Sequence, residues 1–177
     1  MLDDSYLWIM RIAFGGYIAL LAAAALFDVW KYIIPNTICV AVLVLFIPTA
    51  LLLPFDVDWW SHIGAAVAVL LVGAVAYSLG WFGAGDVKLL TAVSFWMGFR
   101  DMPQFLLYVA LAGGAFAIGL LLFRYVLMSV RSTRWFPENM TMPRIFLVGE
   151  AVPYGVAIAF GSIMAGANLP YLGKFLM

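Results

Sequence analysis

Charged residues are scarce in this sequence of 177 residues, and their scarcity excludes the class of soluble globular domains. Only 10% of the residues are charged and 67% are hydrophobic, whereas about a quarter of the residues in a soluble domain are charged. Nine basic and nine acidic residues cancel, so net charge does not indicate nucleic acid or another polyanion as a partner. We therefore expect an all-α integral membrane protein that is surrounded by lipid and binds no nucleic acid.

Cysteine and histidine are almost absent, which removes the usual residues of thiol and metal chemistry. Cys39 is the single cysteine, so no internal disulfide can form, and no C-x-x-C pattern is present. Its apolar neighbours predict a small core residue rather than a nucleophile. The single histidine, His62, lies in a polar break and is interpreted as an interfacial residue. We expect neither a metal nor another cofactor.

Long apolar stretches fill the rest of the chain and predict a bundle of six transmembrane helices in a single domain, 1–177. Arg100, Asp101 and Pro103 end the fourth stretch, which only just reaches the length that a membrane span requires. A re-entrant segment is therefore the competing interpretation there. Small residues in the third stretch predict close packing between helices. The six stretches cover approximately residues 6–27, 35–53, 63–82, 85–101, 104–123 and 151–172.

Basic residues collect on one side of this predicted bundle. The connections after the first, third and fifth stretches share that side, whereas Arg100 and Lys174 are the clear basic residues of the other side. The positive-inside rule makes the basic side cytoplasmic and places both termini outside. The residues on the basic side are Lys31, Lys88, Arg124, Arg131, Arg134 and Arg144.

Two aspartates stand at the cytoplasmic edge of the apolar stretches. Asp28 ends the first stretch, and Asp86 begins the fourth, directly after Gly83-Ala84-Gly85. An ionisable residue at membrane depth is costly, so each is a candidate functional residue. Two crossings separate them, which returns both to the same face. Two adjacent carboxylates share a proton, so one can activate water while the other polarises a carbonyl, and Gly83 and Gly85 allow a substrate backbone to approach.

Structural explanations compete with this catalytic dyad. Asp28 could be a helix-end residue paired with Lys31, and Asp86 could be an N-cap paired with Lys88, which would serve as its charge partner or as an interface anchor. A proton-coupled transporter or channel component could use the same carboxylates, and so could a non-enzymatic assembly subunit. The transporter would need charges along the whole membrane depth, and the nearly charge-free middle of the stretches favours the enzyme.

Three short motifs occur in order along the chain. Asp28 is followed by Ile34-Pro35-Asn36, residues 83–89 contain a GxGD pattern, and Val152-Pro153-Tyr154-Gly155 opens the last stretch. Together they resemble the motifs of the type IV prepilin peptidases, which are GxGD intramembrane aspartic proteases. The resemblance implies an endopeptidase that removes the basic leader of prepilins after a glycine, with catalytic Asp28 and Asp86. The other motif residues would bind substrate or shape the site, namely Gly83, Gly85, Lys88, Pro153, Tyr154 and Gly155.

The resemblance also implies a location and a subgroup. A prepilin peptidase lies in the bacterial inner membrane, faces the cytoplasm with its active site, and binds the leader and the start of the prepilin's hydrophobic helix. The compact sequence looks most like the short peptidases of tight-adherence (Flp) pilus systems. It shows no amino-terminal segment with paired cysteines, so the N-methylation performed by bifunctional members has no support in this sequence.

Overall fold

The computed structural model describes residues 4–52, 56–131, 143–147 and 149–167, in which five α-helices and no strand are found. The helices are α1 (Asp4–Lys31), α2 (Asn36–Leu52), α3 (Trp59–Ser78), α4 (Ala84–Arg131) and α5 (Gly155–Gly166), and a 3-10 helix covers Arg144–Phe146. Three segments are long and apolar enough to cross a membrane, namely Ser5–Lys31, Trp59–Ser78 and Ala84–Ser129. The predicted all-α membrane class is therefore confirmed, whereas the described residues contain five helices instead of six.

Helix α4 combines the fourth and fifth predicted stretches, and its break lies at Gly98. The backbone angles there, φ 63° and ψ 179°, are not helical and belong to a region that glycine adopts readily. The sequence instead placed the end of the fourth stretch at Arg100, Asp101 and Pro103. That prediction is wrong because the glycine interrupts the helix first, and Pro103 lies inside the helix that follows.

The start of α3 stabilises the break. The Phe99 amide donates a hydrogen bond to Ser61 Oγ at 2.9 Å, and His62 Nδ1 donates to the Phe95 carbonyl at 2.7 Å. These contacts satisfy backbone groups that lose their helical partners at a helix end. His62 is only 5% exposed. The side chain is therefore buried inside the bundle, and the position of His62 at the membrane interface stays a prediction.

The break also reverses the direction of the chain. Phe99 packs against Gly64 near the start of α3, so residues 84–97 run antiparallel to that helix. Residues 99–131 return to the other end, where Arg124 donates to the carbonyl of Glu150 just before α5. At about 1.5 Å per residue, the 84–97 segment is roughly 20 Å long, less than the ~30 Å hydrocarbon core of a bilayer.

A buried aromatic cluster joins the first two helices to α4. Trp96 is fully buried, and its indole N–H donates to the Val42 carbonyl of α2 at 2.7 Å. Its ring centroid lies 4.7 Å from that of Tyr17 in α1 and 5.4 Å from that of Phe46 in α2. A buried donor needs such a partner. The cluster therefore fixes α1 and α2 against the helix that carries Asp86.

Glycines allow close approaches of α3 and α5 to α4. A Cβ atom added at Gly73 would lie 2.6 Å from Val87, and one added at Gly161 would lie 2.7 Å from the backbone nitrogen of Val109. Small residues permit such packing between membrane helices. The close packing predicted from the third apolar stretch is confirmed at Gly73.

Candidate active site

The end of α1 positions Asp28 in its last turn. Tyr32 follows the helix with φ 54°, and its amide donates to the Asp28 carbonyl at 2.8 Å. This is a left-handed helix C-cap, a position at which glycine is the common residue. Tyr32 is the only non-glycine residue with positive φ among the described residues. The chain therefore leaves the helix one turn after the aspartate and enters α2 through Pro35.

The start of α4 positions Asp86 by a local contact. Gly83 directly precedes the helix, and its amide donates to Asp86 Oδ2 at 3.3 Å. Donation from the N-cap amide to an acidic side chain three residues later is half of a capping box. The negative charge is also favourable in the first turn of a helix. The Gly83-to-Asp86 spacing thus explains the orientation of this half-buried carboxylate.

Asp28 depends on a distant partner. The Gly155 amide, at the start of α5, donates to Asp28 Oδ2 at 2.6 Å, and the two residues are 127 positions apart in the sequence. A helix N-terminus presents amide donors and a partial positive charge to an anion. A Cβ atom at Gly155 would lie 2.8 Å from Oδ2 and 3.0 Å from Cβ of Asp28. Glycine is therefore required for this approach.

The structure brings Asp28 and Asp86 to one cavity of about 330 Å³. Three more of the predicted site residues line it, Gly83, Gly85 and Lys88. Asp28 is 6% exposed, so its carboxylate lies deep, whereas Asp86 is more accessible. The complete lining is Asp28, Tyr32, Ile33, Ile34, Asn36, Gly83, Ala84, Gly85, Asp86 and Lys88.

The lysines do not pair with the aspartates. Lys88 Nζ donates to Asn36 Oδ1 at 2.9 Å, which joins the start of α4 to the start of α2. Within the residues that the structure describes, no ion pair links Asp28 to Lys31 or Asp86 to Lys88. Both structural explanations based on such pairs are therefore wrong, because Lys88 bonds to Asn36 and Lys31 lies over the Phe27 ring. The N-cap part of the second explanation is also wrong, because α4 begins at Ala84 and Asp86 lies within its first turn, where it accepts the amide of the capping residue Gly83.

The glycines of the second motif also have a packing role. A Cβ atom at Gly85 would lie 3.1 Å from Cβ of Ile34, and one at Gly83 would lie 2.9 Å from Asp86 Oδ2. Gly85 therefore allows α4 to approach the segment that follows Asp28. The sequence predicts that these glycines let a substrate backbone approach, and the structure adds contacts within the protein.

Pro153 and Tyr154 do not line the cavity. Pro153 is buried, and the Tyr154 ring packs edge-on against Phe82 with centroids 5.6 Å apart. A Cβ atom at Gly113 would lie 2.9 Å from the Tyr154 hydroxyl, so this tyrosine rests closely on α4. These contacts fix the start of α5, and with it the Gly155 amide that reaches Asp28.

Two residues near the site were not recognised from the sequence. Arg124 was grouped with the basic residues of a polar connection, but it is 3% exposed and bonds to backbone carbonyls. Its apolar neighbours on both sides were the available signal. Tyr32 lines the cavity. Burial raises the pKa of its hydroxyl and outweighs the nearby positive charge of Arg124, which lowers that pKa. The phenol is therefore neutral at physiological pH.

Comparison with known proteins identifies the family. Residues 16–118 match the model of the type IV leader peptidase family, a range that includes Asp28 and Asp86. The prepilin leader peptidase/N-methyltransferase of Bacillus subtilis is 26% identical over 150 residues, which cover 84% of this chain and 52% of that protein. The protein of the same name from Aeromonas salmonicida is 38% identical over 73 residues, which cover 35% of this chain and 25% of that protein.

The chain thus spans about half the length of the first relative and about a quarter of the second. No solved structure gives a significant match. Among the described residues, no group of three or more His, Cys, Asp or Glu side chains is placed to hold a metal ion. Because the family model covers more than half of the chain and includes both aspartates of the cavity, this chain belongs to the type IV leader peptidase family.

Proposed function

We propose that this protein is an intramembrane aspartic endopeptidase that removes the leader peptide of type IV prepilins. Family membership and the names of the two relatives support the reaction class. The observation that carries the proposal is that Asp28 and Asp86, from different helices, line one cavity. The substrate would present its leader and the start of its hydrophobic helix to this cavity.

The hydrogen bonds suit a pair of carboxylates that share a proton. Each aspartate has Oδ2 held by a backbone amide, from Gly155 for Asp28 and from Gly83 for Asp86. The other oxygen of each accepts no hydrogen bond from any residue that the structure describes, so it is available to water or to a peptide. Two carboxylates at such a site do not both ionise readily.

The proposed reaction needs only these two groups and water. The ionised carboxylate takes a proton from water while the oxygen of that water bonds to the carbonyl carbon of the scissile peptide. The protonated carboxyl donates its proton to the carbonyl oxygen, which gives a tetrahedral intermediate. Collapse breaks the C–N bond, and a proton passes to the leaving amine. General acid–base catalysis of this kind contributes about 10²- to 10⁴-fold to a rate.

Substitution of each aspartate tests the dyad. Asp28→Asn and Asp86→Asn keep the side-chain shape but cannot ionise, so we expect each to lower prepilin cleavage by at least about a hundredfold. Asp56→Asn is the matched control, because Asp56 is exposed in the segment before α3. Cleavage would be followed with purified full-length protein and a prepilin. Near wild-type cleavage by either dyad variant would refute the mechanism.

The wild-type protein in the same assay separates the functional alternatives. A transporter component or an assembly subunit would leave the prepilin intact. A Flp-type prepilin and another type IV prepilin should be compared as substrates. Preferential cleavage of the Flp-type prepilin would support the subgroup suggested by the sequence, and equal cleavage would argue against it.

We also propose six membrane crossings with the dyad on the cytoplasmic side of the bacterial inner membrane. Helix α4 would supply two crossings, because it reverses at Gly98, and its short 84–97 segment would require local thinning of the bilayer. The charge asymmetry then places Lys31 inside, and Asp56 and both termini outside. Lys31→Cys and Asp56→Cys, each in a Cys39→Ser background, would be treated in intact cells with an impermeant thiol reagent. Labelling at position 31 but not at position 56 would show that the protein has the opposite orientation to the one proposed.

A further inference from the structure

Arg124 is a buried arginine whose guanidinium holds the segment in front of α5. Nε and Nη2 both donate to the Ile145 carbonyl, at 2.9 and 2.8 Å. Nη1 donates to the Glu150 carbonyl at 2.9 Å, and Nη2 reaches the Ala151 carbonyl at 3.4 Å. One side chain of α4 therefore holds the carbonyl of Ile145 at one end of this segment and those of Glu150 and Ala151 at the other.

Burying the charge of Arg124 costs free energy, so the contacts that offset this cost indicate what the side chain does. Arg124 is 3% exposed, and within the described residues it forms no salt bridge, because the single ion pair there joins Arg144 to Glu150. A buried charge without an opposite charge is tolerated only when its hydrogen bonds are satisfied. Here they are satisfied by backbone carbonyls, so the arginine stabilises a particular path of the chain.

That path leads directly to the dyad. The segment held by Arg124 ends at Ala151, and four residues later the Gly155 amide donates to Asp28 Oδ2 at 2.6 Å. The segment also contacts α4 through the Phe146 ring, whose centroid lies 5.0 Å from that of Phe123. Arg144 lies over the Tyr32 ring at 5.5 Å and is exposed, so its pairing contributes little.

We propose that Arg124 is a positioning residue for the aspartic peptidase reaction. By holding the carbonyls of Ile145, Glu150 and Ala151, it acts together with the Tyr154 contacts to set the place of the Gly155 amide and thereby the orientation of the Asp28 carboxylate. This inference rests on the function proposed above, because the carboxylate must be catalytic for its orientation to matter. Arg124 itself does not line the cavity and does not touch the reacting atoms.

The proposal predicts that lysine cannot fully replace arginine at position 124. A guanidinium carries five N–H donors in a planar fork, which suits several carbonyls at once. An ammonium group is a compact charge on a flexible stem and cannot reproduce the four contacts. Arg124→Lys should therefore recover only part of the function lost in Arg124→Gln, although it keeps the charge.

Kinetics of the full-length protein with a prepilin form the first arm of the test. In Arg124→Gln we expect kcat to fall at least about tenfold while KM changes less than about threefold, because the disturbed group acts in the chemical step. The matched control is Arg144→Gln, which removes an exposed arginine of the same segment; its kcat should change less than about threefold. A wild-type kcat in Arg124→Gln, or full recovery in Arg124→Lys, would overturn the proposal.

Amide hydrogen exchange of the same full-length proteins is the second arm and does not depend on activity. In Arg124→Gln, the Gly155 amide should exchange faster, while amides of α1 and α2 around Tyr17 and Val42 keep their wild-type protection. Unchanged protection of Gly155 would overturn the proposal. Faster exchange throughout the helices would also overturn it, because the arginine would then support the whole fold. Arg124→Lys is the second variant if Arg124→Gln does not accumulate.

The two arms separate the two proposals. If the wild-type protein does not cleave a prepilin, the proposed function fails, and the exchange arm still decides whether Arg124 fixes the Gly155 amide. If the wild type cleaves and Arg124→Gln leaves both kcat and the Gly155 amide unchanged, only the role of Arg124 fails.

Discussion

Asp28 and Asp86 line the same cavity but are held in different ways. Asp86 accepts its hydrogen bond from Gly83, three residues earlier in the same motif. Asp28 accepts from Gly155, which is 127 residues away and begins another helix. One carboxylate is therefore oriented by its own helix end, and the other by tertiary packing. We expect the Asp28 side of the cavity to be more sensitive to changes elsewhere in the molecule.

The Gly155→Ala substitution should have the largest effect, because it acts on the tertiary contact. The new Cβ would lie 2.8 Å from Oδ2 and 3.0 Å from Cβ of Asp28, so either α5 or the carboxylate must move. We expect cleavage to fall by about a hundredfold or more, which corresponds to a loss of ~2.7 kcal/mol in transition-state stabilisation. The measurement is kcat/KM on a prepilin.

Gly114→Ala is the control for that experiment, because a Cβ atom at Gly114 meets nothing within 4 Å. Its kcat/KM should stay close to that of the wild type. If Gly155→Ala also cleaves at the wild-type rate, the contact between α5 and Asp28 has no catalytic importance. The two aspartates would then not differ in their sensitivity to tertiary packing.

The Gly83→Ala substitution should have a smaller effect, because the obstacle is the end of a side chain. The new Cβ would lie 2.9 Å from Asp86 Oδ2, and a half-buried carboxylate can rotate away. We expect kcat/KM to fall about tenfold, since Asp86 would lose orientation but keep its helix. A loss as large as that of Gly155→Ala would show that the two aspartates are equally sensitive.

The same difference explains what the sequence could predict about the site. The spacing of Gly83 and Asp86 is a local pattern, so the orientation of Asp86 follows from helix capping. The contact between Asp28 and Gly155 requires α5 to pack at the end of α1, which no local pattern reveals. The motif around Gly155 pointed to the site only through resemblance to a family. Arg124 was misplaced because a sequence does not show whether an arginine faces lipid headgroups or backbone carbonyls.

The fold was predictable to a similar degree. Apolar composition indicated an all-α membrane protein, and α1 and α2 lie close to where the apolar stretches predicted them, whereas α3 begins and ends four residues earlier than predicted. The break in α4 lies before the charged residues and Pro103 that usually end a helix, and in the sequence Gly98 resembles the other glycines of the chain. What distinguishes Gly98 is that Ser61 and His62 of α3 bond to the backbone on either side of it. Those partners are visible only once the helices are packed.

The smallest effect concerns Lys88, whose side chain joins the two halves of the cavity. Its hydrogen bond to Asn36 at 2.9 Å connects the start of α4, which carries Asp86, to the start of α2, which follows Asp28. Both residues are exposed, and an exposed charged contact contributes only about 0.2–1 kcal/mol. A double-mutant cycle of Lys88→Met and Asn36→Ala should therefore give a coupling in the free energy of unfolding of at most ~1 kcal/mol.

Kinetics of the same variants test whether Lys88 takes part in the reaction. Lys88→Met and Asn36→Ala should each lower kcat/KM by about threefold or less, because each loosens the alignment of the two helix starts without removing a reacting group. Their effects should not add, since the second substitution removes a hydrogen bond that the first has already broken. The contrary result would be a loss of kcat/KM in Lys88→Met close to that in Asp86→Asn, with wild-type kcat/KM in Asn36→Ala. The Lys88 ammonium group would then take part in the reaction, and the two carboxylates alone would not account for catalysis.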